Sequence, residues 1–258
     1  MRRFLLAMTS ALACCGLQAQ AAPGFDQTRQ DLASVCQASS SYDLTVMPRG
    51  LLFDRPQPAP YKVELQDGVL LTDGVNVRLS AEQQDRVALF ERELRALVPR
   101  AKAVAQSGVD LLAQSMREES AGLALSADAQ AELNRRLAAR AVELKQHIAA
   151  STSTHDWQGD MANQYAQQVA SDLAPLLAGD LGQQAISAAM SGDLRAAASL
   201  RDRATDLGTQ LQPRLARRMQ ALRPQIQALC PAIQRLDELQ QGVPGANGRP
   251  LGLLHIGQ

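Results

Sequence analysis

Three histidines, His147, His155 and His255, are the side chains best suited to move a proton near neutral pH. His155-Asp156 places a base beside a carboxylate, half of a catalytic pair by residue type. It stands in the run Ser151-Thr152-Ser153-Thr154-His155-Asp156, which a solvated polar loop explains more simply. His147 and His155 are eight apart, an interval that matches no common metal spacing. No Gly-x-Ser-x-Gly elbow, His-Glu-x-x-His pair or phosphate-binding glycine loop occurs. Glu118-Glu119 and Glu91 with Glu93 are carboxylate neighbours, but close neighbours on a helix do not face each other, so they read as solvated surface. Arg214, Arg217 and Arg218 form a basic spot that would meet an acidic partner, lipid headgroups or simply water. Trp157 adjoins the polar loop and reads as a packing anchor. These residues nominate no catalytic site, no metal site and no cofactor.

The cysteines point to a compartment. Cys14 and Cys15 fall in a leader: Arg2 and Arg3 are its positive start, Phe4 to Leu17 its apolar run, and Ala19-Gln20-Ala21 its cleavage site before Ala22. A secretory signal peptide over residues 1–21 is the reading. A minor alternative is a lipoprotein site at Ala11-Leu12-Ala13-Cys14, with Cys14 lipidated, although Ala11 stands where Leu is usual. The mature chain keeps Cys36 and Cys230, and two cysteines in an exported chain predict one disulfide; the other reading is two separate thiols. No later stretch is long and apolar enough for a transmembrane segment in the mature chain.

Composition narrows the class. The 258 residues carry 26 basic and 26 acidic side chains, which argues against a nucleic-acid partner. A hydrophobic fraction of 46% and a mean hydropathy of −0.17 fit a folded chain with a real core. Ala fills 43 positions, which moves the expectation towards helix.

The pattern along the chain predicts an α+β fold, an N-terminal antiparallel meander followed by long helices. Residues 22–41 lack periodicity and read as a flexible arm. One domain is expected over 42–241, with the meander at 42–79 and helices at 80–241, then a loose tail over 242–258 in which Leu251, Leu253 and Leu254 could still dock. Tyr42 to Met47 and Leu51 to Asp54 form a first hairpin, and Arg55 to Pro60, with three prolines, a connector. Tyr61 to Gln66, Val69 to Thr72 and Val75 to Leu79 alternate, joined by Asp67-Gly68 and Asp73-Gly74 turns that need positive φ. Ser80 with Gln83 fits a capping box, and Val87, Phe90, Leu94 and Leu97 share one helical face. Pro99 is expected to end that helix or open the next. Gly108 is expected to admit a neighbour closely. Further helices are predicted from Ala127 to Ala150 and from Gly159, the latter kinked at Pro175. The last stretch is read as the longest, bent at Pro213, Pro224 and Pro231. Its apolar stripe runs from Leu207 to Leu236. Two uses compete for it: packing inside one chain, or binding a homodimer or an envelope protein partner through the helical face.

Several short strings together resemble the YggN-like family of exported bacterial proteins, a domain of unknown function. They are Tyr42-Asp43-Leu44-Thr45-Val46, the Asp67-Gly68 meander, Leu79-Ser80-Ala81-Glu82-Gln83-Gln84, Val98-Pro99-Arg100-Ala101, Ala105 to Leu111 and Leu229-Cys230. The likeness covers roughly residues 33–241. It implies a periplasmic location, supports the Cys36–Cys230 pairing, and supplies no catalytic residue. A non-catalytic binding or scaffold protein of the cell envelope is the leading expectation. A chaperone-like or lipid-handling protein would need an apolar groove between helices. A hydrolase would need a site around His155 and Asp156.

Overall fold

Alternation decides which side of each strand faces the core. The computed structural model describes residues 31, 34–157, 161–245, 248 and 250–257, with backbone alone at 157, 161–167, 170, 204, 205, 207–209 and 212. The leader, most of the arm, and the side chains of Trp157, Tyr165 and Leu207 lie outside the described residues. A two-residue strand β1 (Ala38–Ser39) precedes the meander β2 (Asp43–Met47), β3 (Gly50–Asp54), β4 (Lys62–Gln66), β5 (Val69–Thr72) and β6 (Val75–Asn76). These five strands pair in sequence order, all antiparallel. Val46, Leu51, Leu65 and Leu70 stand opposite one another on the inner face, where the three leucines are fully buried. Asp67 and Asp73 take φ of 49°, followed by Gly68 at 82° and Gly74 at 78°, the turns that the two Asp-Gly pairs predict.

Six helices follow: α1 (Ala81–Ala121), α2 (Ala127–Ala150), α3 (Met161–Met190), α4 (Leu194–Met219), α5 (Arg223–Gln227) and α6 (Cys230–Gln240), before a last short strand β7 (His255–Ile256). Ser80 caps α1, and the full capping box with Gln83 is present. Pro99 neither ends nor starts a helix: α1 runs through it for 41 residues, about 60 Å. Packing on both halves of α1 outweighs the one hydrogen bond that proline removes. Its first half carries Val87, Phe90 and Leu97 into a core with the sheet, α6 and the C-terminal segment. Its second half packs with α2 and α4. There α2 and α3 build a second core from Leu133, Leu137 and Leu173, with Met116 of α1 against it.

The last helical stretch is not one bent rod. It breaks into α4, α5 and α6, and Pro224 and Pro231 occupy the first turns of the two short helices. Proline fits there because those N–H groups need no intrahelical partner. Leu222 and Leu236 of the apolar stripe are buried, and Leu229 and Ile233 pack on the sheet core, so this part of the stripe serves the chain's own interior. A Cβ on Gly108 would lie 3.2 Å from Leu222 Cδ1, the close approach expected of that glycine.

Two segments read as loose in the sequence hold order among the described residues. Residues 34–41 hold a 3-10 turn and β1, and Cys36 is disulfide-bonded to Cys230, 194 residues away. Beyond Gly242, Val243, Leu251 and Leu253 are buried, and β7 pairs with β1. The buried Gln240 holds this segment by accepting the N–H groups of Leu253 and Leu254. Gly, Pro and Asn describe the local chain there, while the leucines and one buried amide dock it.

Glu91 is also corrected, from surface to interior. Its carboxylate accepts the Asp67 N–H at 2.9 Å and pairs with Arg95 at 3.0 Å. Arg95 in turn donates to the carbonyls of Met47 and Gly50. One helical turn of α1 therefore grips both the β2–β3 and β4–β5 turns. Glu91→Ala should lower stability by about 2–3 kcal/mol, because it leaves Arg95 partly buried without its counter-charge. Urea midpoints of the parent and the variant check this, and a loss below about 0.5 kcal/mol would refute the role.

Candidate functional site

The polar loop between α2 and α3 lies along the open edge of β2. Val46 donates its N–H to Thr152 O, and Leu44 donates to Thr154 Oγ1. Ser153 Oγ donates to Leu44 O and lies 2.9 Å from Thr45 Oγ1. The loop thereby occupies backbone groups that an exposed edge strand would leave open.

His155 sits over the end of this edge. Its Nε2 is 3.0 Å from one Asp54 oxygen, and its Nδ1 is 3.6 Å from Asp43. Thr154 Oγ1 donates to the other Asp43 oxygen at 2.9 Å. Asp156 faces its own loop instead, accepting from Ser151 Oγ and from the Thr152 and Ser153 N–H groups. The sequence pair His155-Asp156 is therefore split. The carboxylates that meet His155 come from β2 and β3, and carboxylates rather than a hydroxyl face both ring nitrogens. A hydroxyl nucleophile on one nitrogen and an orienting acid on the other would make a catalytic relay. Two acids around one imidazole make a polar clasp between loop and sheet.

His147 lies in the last turn of α2, within electrostatic reach of Asp156, and His255 lies on β7. Among the described residues, no group of three His, Cys, Asp or Glu is arranged to hold a metal ion. Arg214 and Arg218 are not an open basic spot: they pair with Glu119 and Glu118 of α1. The Glu118 carboxyl is held below its usual range by Gln114 first and then Arg218. Between α1, α2, α3 and α4 lies a cavity of about 30 Å³, lined by Met116, Leu133, Leu173, Leu177 and Leu211. That is room for water, against about 300 Å³ or more for a ligand pocket.

The second candidate is apolar, and periodicity alone hides it. Ser126 donates its N–H and hydroxyl to Asp180, and Gln184 donates to Ala124 O. These contacts tie α3 to the turn that follows α1. The last six residues of α3, 185–190, continue about 9 Å further, supported by the start of α4. Ile186, Met190 and Leu194 are 63, 84 and 71% exposed there. Ile186 and Met190 lie on the part of α3 that continues past Pro175. The usable signal was the absence of charge from Leu181 to Gly192, beyond the reach of any predicted partner helix.

A family model described as Protein of unknown function (DUF2884) matches residues 36–245, and the chain belongs to that family. The match opens at Cys36 and spans both cores. No curated protein and no solved structure matches the chain.

The Asp156 carboxyl is held below its usual range, first by the Ser153 N–H, then by the Ser151 hydroxyl, with desolvation opposing. Its folded-state pKa lies below the unfolded one, so this stabilisation is present above the usual carboxylate range and is lost as pH falls through the folded value. Asp156→Ala should cost about 1 kcal/mol at neutral pH. The gap between parent and variant should close in acid. Urea midpoints across the acid range test it, and a gap that persists at the lowest pH contradicts the assignment.

Proposed function

We propose that this member of the DUF2884 family is an exported, non-catalytic binding protein of the bacterial cell envelope, working in the periplasm. The observation that carries the binding role is the exposed apolar tip of the α3–α4 hairpin. A protein that leaves a projecting end apolar while burying Leu222, Leu229 and Leu236 reserves that end for contact. Export draws on the leader, with Arg2, Arg3 and the small-x-small site before Ala22, and on the resemblance to the YggN-like exported proteins. The Cys36–Cys230 disulfide is compatible with an oxidising compartment. Among the described residues, no helix is long and apolar enough to cross a membrane.

The two other readings have less support. A lipid carrier needs a chamber for an acyl chain, and the cavity between α1, α2, α3 and α4 holds about 30 Å³. A hydrolase around His155 needs a nucleophile on the ring, where Asp43 and Asp54 stand.

The location is checked by fractionation: the protein should leave the cell on osmotic shock, begin at Ala22, and carry no alkylatable thiol until reduced. Retention with the cytoplasm or two free thiols would refute export. The binding role is checked in living cells with a photocrosslinking residue at Met190 and, as control, at Val142, which is 55% exposed on α2. Adducts to an envelope component are expected from the tip alone. Equal adducts from both positions, or none from either, would remove the tip from the function.

A further inference from the structure

We propose that the α3–α4 tip seats in the surface of a phospholipid bilayer. The inference rests on the reading of the tip as a contact surface and names what it contacts. Four observations favour a bilayer over a second protein. The tip is convex: beyond Gln184 the hairpin projects past the α1–α2 turn, so only a concave or deformable surface can meet all three apolar side chains. The tip is small. Ile186, Met190 and Leu194 offer on the order of a few hundred Å² of apolar surface, below the roughly 800 Å² per partner of a stable protein interface. Its chemistry lacks protein-type anchors. Residues 185–192, Ala-Ile-Ser-Ala-Ala-Met-Ser-Gly, contain no charge, no aromatic ring and no arginine. Finally, the flanking charges balance. Asp193 is engaged in capping α4 through the Ala196 N–H, and the exposed Arg195 beside it can reach a lipid phosphate while its stem stays apolar. A neutral apolar tip predicts insertion driven by burial rather than by attraction to anionic lipid.

The length of the hairpin fits this use. Helix α3 starts beside the loop that covers β2 and runs for 30 residues, about 45 Å, to the tip. The sheet core therefore stands at the opposite end of the bundle from the contact. A protein docked by its tip would hold the sheet end away from the bilayer.

The test is flotation of the purified disulfide-bonded chain with vesicles of phosphatidylethanolamine and phosphatidylglycerol. Co-flotation is expected, and it should persist when salt is raised to about 1 M, where exposed charges are screened within about 3 Å. Met190→Asp should lower the bound-to-free ratio about tenfold or more, since it removes a large apolar side chain from the contact. Val142→Asp should leave the ratio unchanged, and circular dichroism should show both variants folded. No flotation, flotation abolished by salt, or flotation equal in Met190→Asp and parent would each overturn the proposal. So would self-association that Met190→Asp abolishes without any vesicle binding, because the occupant would then be a second copy. If vesicles fail while the Met190 crosslinker captures a protein in cells, the bilayer falls and the binding role stands.

Discussion

The ion pair between the buried Glu91 and the partly buried Arg95 fixes where the sheet sits on α1, and the rest of the fold is arranged around that placement. A β-meander with one apolar face can slide on its cover as long as only side-chain burial holds it. Glu91 and Arg95 remove that freedom because they address backbone groups in turns: the Asp67 N–H on one side, and the Met47 and Gly50 carbonyls on the other. Backbone close approach reinforces the fit. A Cβ on Gly68 would come within 2.9 Å of Gln84 O on α1, and one on Gly50 within 2.6 Å of Leu65 O. The charges are affordable in this setting because each finds a partner on arrival.

The same helix organises the remaining elements through its cations. Arg86 donates to the carbonyls of Glu238, Leu239 and Gln241 at the end of α6. Arg100 donates to Ala228 O after α5, and Lys102 donates to Ala149 O and Ser151 O at the end of α2. Helix C-termini present unsatisfied carbonyls and the negative end of the helix dipole. Three basic residues spaced along α1 thus collect three chain ends. The Cys36–Cys230 bond adds the N-terminal segment to the start of α6, closing a loop worth roughly 5 kcal/mol in the chain-entropy model.

What the sequence discloses divides along the reach of each signal. Strands, Asp-Gly turns, the Ser80 cap and the Ala127–Ala150 helix are local, and local periodicity and capping chemistry reveal them. The Cys36–Cys230 pairing is legible because, with Cys14 and Cys15 read as part of a leader, two cysteines remain to pair. Pro99 misleads because propensity weighs one hydrogen bond and cannot weigh the two cores that flank α1. The segment around Leu251 and Leu253 is legible only in part: its composition is that of a loop, its leucines offer something to dock, and what they dock on, Gln240 and the sheet core, is not announced nearby in the chain. The candidate site shows the same division. His155 and Asp156 are neighbours in sequence with different partners in space, and nothing nearby in the chain announces Asp43 and Asp54.

Charge and apolar surface are used in opposite ways across this molecule. Many charged side chains on the helices meet a partner within the chain: Arg214 and Arg218 with Glu119 and Glu118, Arg140 with Asp172, Lys145 with Asp110. Such pairs contribute little each to stability, but they leave those charges less available to an outside partner. The apolar faces of α6 and of the first half of α1 are consumed by the sheet core. Against that background the α3–α4 tip stands out, because Ile186, Met190 and Leu194 lie beyond the contacts that Asp180 and Gln184 make with the α1–α2 turn and are mostly exposed. Trimming residues 186–195 would remove the exposure without touching Leu173, Leu181 or Leu200, which are buried below it. The extra turns therefore add nothing that either core requires, and their chemistry is the part of the fold that folding alone does not account for.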